Sequence, residues 1–313
     1  MIGGRQSVQW MLLFILLLSA AWSTLVASDI DQRVDELFIK ASSGEVQYRD
    51  LVEPSKEELI EMGIDAVPRL ITKLSSEDAR ERHTLADIFK GIGSSAVPAL
   101  VKALDTDNLY TLRNAARCLG EIGDKRATHA LLPLFFHENH SVRSTAVTSV
   151  GKCHDSSAVD KCILLLGDTV ETVRKSASVA LGRIEDARAV SSLIDALEDV
   201  HFSVRMSAVK SLTVIGEVAC DDLIDRYDTL SDLAKYLAFD IWAGNKYKPA
   251  RKILERETKS EDRYLRSFAI YALASIDGGK ALKRIGKMLK TETDIFVISR
   301  LHATQKLLES SKK

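Results

Sequence analysis

From Ala66 onward, apolar and small residues recur in fixed columns every 30 or 31 residues. The register starts at Ala66, Ala96, Ala127, Ala158, Ala189, Ala219, Ala250 and Ala281. Four places after each of these alanines stands Leu70, Leu100, Leu131, Cys162, Leu193, Leu223, Leu254 or Ile285. Eight places after, Leu74, Leu104, Phe135, Leu166, Leu197 and Leu289 recur. A spacing of four keeps side chains on one helical face, so the first half of each repeat predicts a helix of about ten residues. A polar bend follows, such as Asp105-Thr106-Asp107-Asn108, and then a longer second helix. Nineteen places in, the series reads Leu85, Ala115, Ala146, Ala177, Ala208, Ala238, Ala269 and Arg300. At twenty-three it reads Phe89, Leu119, Val150, Leu181, Leu212, Trp242, Leu273 and Thr304. An alanine column predicts close passage of neighbouring backbones. Neither amphipathic helix can bury its apolar face alone, so each repeat must stack on the next. The expected architecture is all-α, an αα-superhelix of about eight two-helix repeats forming one uninterrupted stack.

The ends of the register read as caps. Arg300 and Thr304 replace the small and apolar column members in the last repeat. Upstream, residues 54–63 predict the second helix of a capping half-repeat, with Ser55 as N-cap and Pro54 as boundary. Residues 30–40 predict a short helix with Val34, Leu37 and Phe38 on one face, and residues 41–49 a loop. The expected organisation is a leader or anchor over residues 1–28, a short helix and linker over 29–53, and the stack over 54–313.

The N-terminus changes the expected location. Arg5 is the only charge before an apolar run from Trp10 to Ala27. A basic start, a leucine-rich centre and Val26-Ala27-Ser28 fit a cleavable export signal. The length of the run and Trp10 and Trp22 fit an uncleaved membrane anchor. Either reading sends the remainder out of the cytoplasm and has the N-terminal segment engage the export machinery or the membrane. Cys118, Cys153, Cys162 and Cys220 show no paired spacing and are expected as buried thiols. Cys153 and Cys162 are the pair that a helix–helix turn could join. With 43 Lys+Arg against 44 Asp+Glu in 313 residues, the chain is not a generally basic nucleic-acid binder.

The pattern A-V-x-x-L-x-x-A-L, a bend, then V-R-x-x-A-x-x-x-L-G-x-I resembles HEAT repeats of the short, PBS-lyase-like kind. Ala189-Val190-Ser191-Ser192-Leu193 and Val204-Arg205-Met206-Ser207-Ala208 carry it well, and Val142-Arg143 and Val173-Arg174 repeat the dipeptide. The resemblance covers about four-fifths of the chain. It implies a solenoid, and its members include adaptors, scaffolds and bilin lyases.

Two sets of side chains are candidates for more than core packing. Arg82, Arg143, Arg174, Arg205, Lys235 and Arg266 lie sixteen places into their repeats. They are expected to brace the stack, with Asp124, Asp155, Asp186 and Glu217 as partners. Arg113, Arg117, Lys152, Lys175, Arg183 and Lys210 fall seventeen, twenty-one or twenty-five places in. There they are expected to point outward from the second helices, which line the concave face of such solenoids. This basic set predicts a protein partner with an acidic surface. Tyr236, Leu237, Phe268 and Tyr271 lie in or beside the same columns as possible apolar anchors. Nucleic acid is not expected, for want of stacking aromatics.

His137-Glu138 with His140 is the densest histidine group. One His-Glu pair falls short of the several that HEAT-like deoxyhypusine hydroxylase uses to hold iron, so no metal, cofactor or catalytic residue is assigned. The expected function is an exported or membrane-tethered adaptor or scaffold. The alternatives are a bilin-lyase-like transferase or enzyme-accessory subunit, and a purely structural spacer.

Overall fold

A computed structural model describes residues 28–310. Every regular element among them is helical. A helix over residues 28–42 (α1) precedes α2 (Val52–Glu61). The repeats then alternate short first helices with long second helices. In the N-terminal half these are α3 (Val67–Ile71), α4 (Ala79–Ile92), α5 (Val97–Lys102), α6 (Leu109–Ile122) and α7 (Thr128–Leu131). Then come α8 (His140–Lys152), α9 (Val159–Leu164), α10 (Glu171–Ile184), α11 (Val190–Asp195) and α12 (Phe202–Ile215). The last are α13 (Glu217–Arg226), α14 (Asp232–Gly244), α15 (Arg251–Glu257), α16 (Arg263–Asp277), α17 (Leu282–Met288) and α18 (Ile295–Ser310). The fold is the expected all-α solenoid of about eight paired helices.

Where the register predicts one uninterrupted stack, the chain divides into two compact bodies, one ending at Ala130 and the other starting at Leu131. The division falls inside α7, the shortest first helix. A 3-10 turn from Leu132 to Phe136 follows it, with Pro133 in its first turn, where the missing N–H cannot extend the α-helical bonding.

In the N-terminal body, Val34, Leu37 and Phe38 of α1 are buried as their shared face predicts. Asp35 on α1 receives Arg69 at 2.5 Å and Lys73 at 2.6 Å, fastening α1 to the first repeat. The bond from Arg69 is the main reason the Asp35 carboxyl falls to about 2, with Lys73 adding to it. Ser55 is not the N-cap of α2. The helix begins at Val52 and places Pro54 within its first turn, where a missing N–H costs little, while Ser55 is buried. The expected loop at 41–49 instead tightens into a 3-10 turn from Val46 to Leu51. Asn114 donates from its buried amide to the carbonyls of Leu74 (2.7 Å) and Ser76 (3.2 Å), holding the bend of the preceding repeat.

In the C-terminal body, Ala146, Ala177, Ala208, Ala238 and Ala269 are fully buried, as are Val150, Leu181, Leu212 and Trp242. Small residues beside that column let the second helices nearly touch. A Cβ on Gly151 would stand 2.6 Å from Ala180 Cα, and one on Gly182 would stand 2.8 Å from Ser211 Cα. Ser211 exploits the approach by donating to the Ser178 carbonyl at 2.8 Å. Most first helices are shorter than the expected ten residues, because 3-10 turns take over part of that length, whereas α13 keeps all ten. After most second helices the backbone reverses through a positive φ, at Gly93, Gly123, His154, Glu185, Gly216, Lys246 and Gly278. The geometry recurs even where glycine is absent, since the next first helix must fold back onto its partner.

The four cysteines are all buried thiols in no disulfide, with no bridge between Cys153 and Cys162. Burial pushes the Cys162 and Cys220 thiols up to about 12. The expectation of a membrane-spanning segment is corrected: among the described residues no helix is long and apolar enough to cross a membrane. The run from Trp10 to Ala27, on which the signal and anchor readings rest, lies outside the described residues.

Two outcomes follow from this packing. Ala177→Leu should overpack α10 against its neighbours and cost about 1–3 kcal/mol of stability, read as a lowered unfolding midpoint. The second concerns pH. The Asp35 carboxyl is depressed in the folded state, so its contribution is full above its unfolded value near 3.8 and is lost as the pH falls through about 2. Asp35→Asn should remove that part of the acid-unfolding profile and destabilise the N-terminal body by about 1 kcal/mol at neutral pH.

Candidate interaction surface

The sixteenth-position cations are structural, by a different pairing from the expected one. Arg143 donates to Asp168 at 2.7 and 2.9 Å and to the carbonyls of His137 and Glu138, each at 2.9 Å. Arg174 repeats the arrangement with Asp199 at 2.7 and 3.0 Å and the carbonyls of Asp168 and Thr169. Arg266 does so with Glu292 and the carbonyls of Ser260 and Glu261. The guanidinium thus closes the bend of its own repeat and grips the bend carboxylate of the next. Arg205 keeps only the carbonyl bonds, to Asp199 and Val200. Arg82 bonds the Glu77 carbonyl, and Lys235 pairs with Asp232 at 3.4 Å.

The acids expected as partners do local work instead. Asp124, Asp155 and Asp186 accept backbone N–H groups two residues on and start the next 3-10 turn. Asp124 and Asp186 also pair with Arg126 and Arg188. Glu217 lies in the first turn of α13. An Asx turn thus occupies Asp124, Asp155 and Asp186 at the start of the next first helix, and Asp124 also takes a hydrogen bond from Ser94 of the preceding repeat.

The outward basic set divides. Arg113 and Arg117, in the N-terminal body, are half-buried, and Arg113 Nε is buried with no hydrogen-bond partner. In the C-terminal body Lys175 and Lys210 are exposed, while Lys152 and Arg183 are half-buried. Arg183 Nη1 is likewise buried without a hydrogen-bond partner.

A more developed surface lies further along the same columns, on the second helices α14, α16 and α18. A groove of about 380 Å³ is lined by Asp240, Phe268, Tyr271, Arg300, Thr304 and Leu307, with Ser267 and Ala303 between them. The Arg300 guanidinium lies over the Phe268 ring at 5.6 Å and the Phe296 ring at 5.9 Å. Tyr236 packs on Phe268 at 5.4 Å and on Tyr264 at 6.4 Å, and Tyr264 meets Phe296 at 5.2 Å. The Tyr236 hydroxyl donates to Asp262 at 2.7 Å, which fixes the aromatic cluster to the N-cap of α16. Tyr271 remains 45% exposed, so its ring forms part of an open wall. Asp240 is open to solvent at the rim, yet desolvation by the helices around it raises its carboxyl above the ordinary range.

Aromatic rings and an arginine around a concave apolar floor are the composition that carries binding energy in protein interfaces. Of the expected anchors, Phe268 and Tyr271 line this groove and Tyr236 supports it, whereas Leu237 is buried in the core. Asp240 is expected on this outward face as acid bordering the basic set, whereas Arg300 reads as part of the C-terminal cap and not as a groove residue. The signal was present, because Arg300 breaks an alanine column and a large cation there can only lie outside the stack.

The His137 ring accepts from the Asn139 backbone through Nδ1 at 2.9 Å, as part of a bend. Among the described residues no three His, Cys, Asp or Glu side chains are grouped to hold a metal ion. Asp240→Asn should raise the unfolding midpoint at neutral pH, by removing a charge held in a desolvated position. The gain should shrink as the pH falls through the raised folded value and disappear well below 3.8, where the carboxyl is protonated in both states.

Comparison with known proteins places this geometry. A sequence profile for HEAT repeats matches residues 67–140, 130–213 and 165–239. No curated protein gives a significant match. Among solved structures, Escherichia coli YibA is 18% identical with a TM-score of 0.50, covering 84% of this chain and 98% of that one. Yeast importin-β is 17% identical with a TM-score of 0.54, over 85% of this chain and 40% of its own. The CpcE–CpcF complex of phycocyanin lyase from Nostoc is 19% identical with a TM-score of 0.42, over 77% and 94%. At these identities the likeness is one of fold.

Proposed function

Because the chain belongs to the HEAT-repeat family, we propose that it is a non-enzymatic adaptor that holds a protein partner on its second-helix face. The observation that carries this reading is the groove on α14, α16 and α18, where Phe268, Tyr271 and Arg300 stand around an open apolar floor. A stack of short repeats offers a long, stiff surface, and binding energy there concentrates in a few aromatic and arginine anchors. The likeness to importin-β, a solenoid of the same fold, fits this reading. Lys175 and Lys210 lie on the second helices of earlier repeats of the same body and favour a partner whose flanking surface is acidic. Arg5 and the apolar run ending at Ala27 favour export of the chain, so the partner would be met outside the cytoplasm.

The experiment compares affinity capture by the wild-type chain and by Phe268→Ala/Tyr271→Ala/Arg300→Ala. The triple variant should lose the protein that the wild type retains, with an affinity loss of 100-fold or more once that protein is purified, on the order expected for two or three anchors. Its helicity should remain. Equal recovery of every captured protein by both forms would overturn the assignment.

A further inference from the structure

The outer face of the first helices in the C-terminal body carries a charge pattern that core packing does not require. Two, six and nine places into each repeat, the side chains share one helical face, and in the last four repeats all of these positions are exposed. In the repeat of α11 they are Ser191, Asp195 and Glu198, and in the repeat of α13 they are Asp221, Asp225 and Asp228. In the repeat of α15 they become Lys252, Arg256 and Lys259, and in that of α17 Lys283, Lys287 and Lys290. Five acids are followed by six cations, with the change of sign falling between α13 and α15. Like charges three and four places apart on one helix destabilise it. Alternating signs would have suited the isolated chain better.

Only part of this charge is neutralised within the molecule. Arg256 pairs with Asp228 across the sign change at 2.7 Å, and Arg226 reaches Asp195 at 2.5 Å. Glu198 accepts from Ser231, and the Tyr247 hydroxyl bonds Asp221. Among the described residues, Asp225, Lys252, Lys259, Lys283, Lys287 and Lys290 have no ion pair.

We propose that this face joins two copies of the chain in an isologous, electrostatically matched dimer. The argument is one of symmetry. Successive first helices run in the same direction, since each is followed by a returning second helix. A two-fold axis lying in the face, parallel to these helices and between α13 and α15, lays α13 of one copy against α15 of the other. It also lays α11 against α17. Because the charge reverses sign about that line, acid meets base on both sides of the axis. Each row meets its own row: Asp221 faces Lys252 and Asp225 faces Arg256, while Asp195 faces Lys287 and Glu198 faces Lys290. The pitch matches without adjustment, because both surfaces are built from the same repeat. A face complementary to itself in this way is what a two-fold dimer needs. The second helices, with the groove described above, stay free, so the dimer and the partner-binding reading stand or fall separately. The contact uses short helices and exposed charges, so it is a weak association that salt dissolves.

The test uses sedimentation equilibrium of the full chain and two charge-reversed variants. Wild type should associate to twice its monomer mass at about 50 mM salt, and its association constant should fall more than 10-fold by about 500 mM. Lys287→Glu/Lys290→Glu makes the face acidic throughout its outer repeats, and Asp195→Lys/Glu198→Lys makes it basic. Each variant alone should be monomeric. Mixed, they should form a one-to-one dimer, because every opposed pair is again of opposite sign. Should the first acidic variant unfold, Lys252→Glu/Lys259→Glu, which disturbs no internal ion pair, is a second that should be monomeric alone. Because α15 faces α13, its complementary partner in the mixing experiment is Asp221→Lys/Asp228→Lys. A monomeric wild type at low salt, or variants that fail to associate when mixed although folded, would overturn the proposal. So would a monomeric wild type that instead bound poly-glutamate, which would assign the lysines to a foreign acidic chain.

Discussion

The structure depends on the close approach of neighbouring second helices. Ala146, Ala177 and Ala208 are fully buried, and Gly151 and Gly182 sit where a Cβ would strike the next helix. At that spacing each helix completes the core of the one before it, and burial of Val150, Leu181 and Leu212 becomes a shared property of adjacent repeats. The arginine clasps at Arg143, Arg174 and Arg266 are a second layer of the same logic. Each bonds two carbonyls of its own bend and a carboxylate of the next, so the side chain that closes one bend also ties it to the following repeat.

That regularity frees the outer positions for other work. A second helix needs its column residues for packing, and the seventeenth and twenty-first places lie beside those columns, where larger and polar side chains can reach the surface. In the last repeats those places hold Tyr236, Tyr271 and Asp240, and with Phe268 and Arg300 they make the groove. The first helices have the same freedom at their own outer columns, where the run of acids gives way to a run of cations. Two faces of one body thus carry different chemistries on a common frame.

The helices, their order and the buried columns were legible in the sequence because periodicity reports burial directly. The partners of the arginines were not. A ladder of acids twenty-eight places in resembled a matching set, but Asp124, Asp155 and Asp186 accept the backbone N–H two residues on, and Glu217 stands in the first turn of α13. The true partners, Asp168, Asp199 and Glu292, sit in the bends, and only the lateral offset between stacked repeats brings them into reach. The division at Ala130 was also hidden, since the columns continue through it unchanged. The positive φ at His154, Glu185 and Lys246 could not be read from residue type, because the usual glycine is absent there. The sign reversal on the first helices was visible in principle, once the second, sixth and ninth places were known to be exposed.

The claim that the 31-residue register is the unit of the structure is tested most directly by deletion. Removing residues 158–188 excises one whole repeat, brings Asp199 to the place of Asp168 opposite Arg143, and leaves every column aligned. The shortened chain should keep its helicity per residue by circular dichroism and unfold cooperatively, while deletion of 158–173, about half a repeat, should not. Collapse of both deletions alike, or equal tolerance of both, would contradict the account.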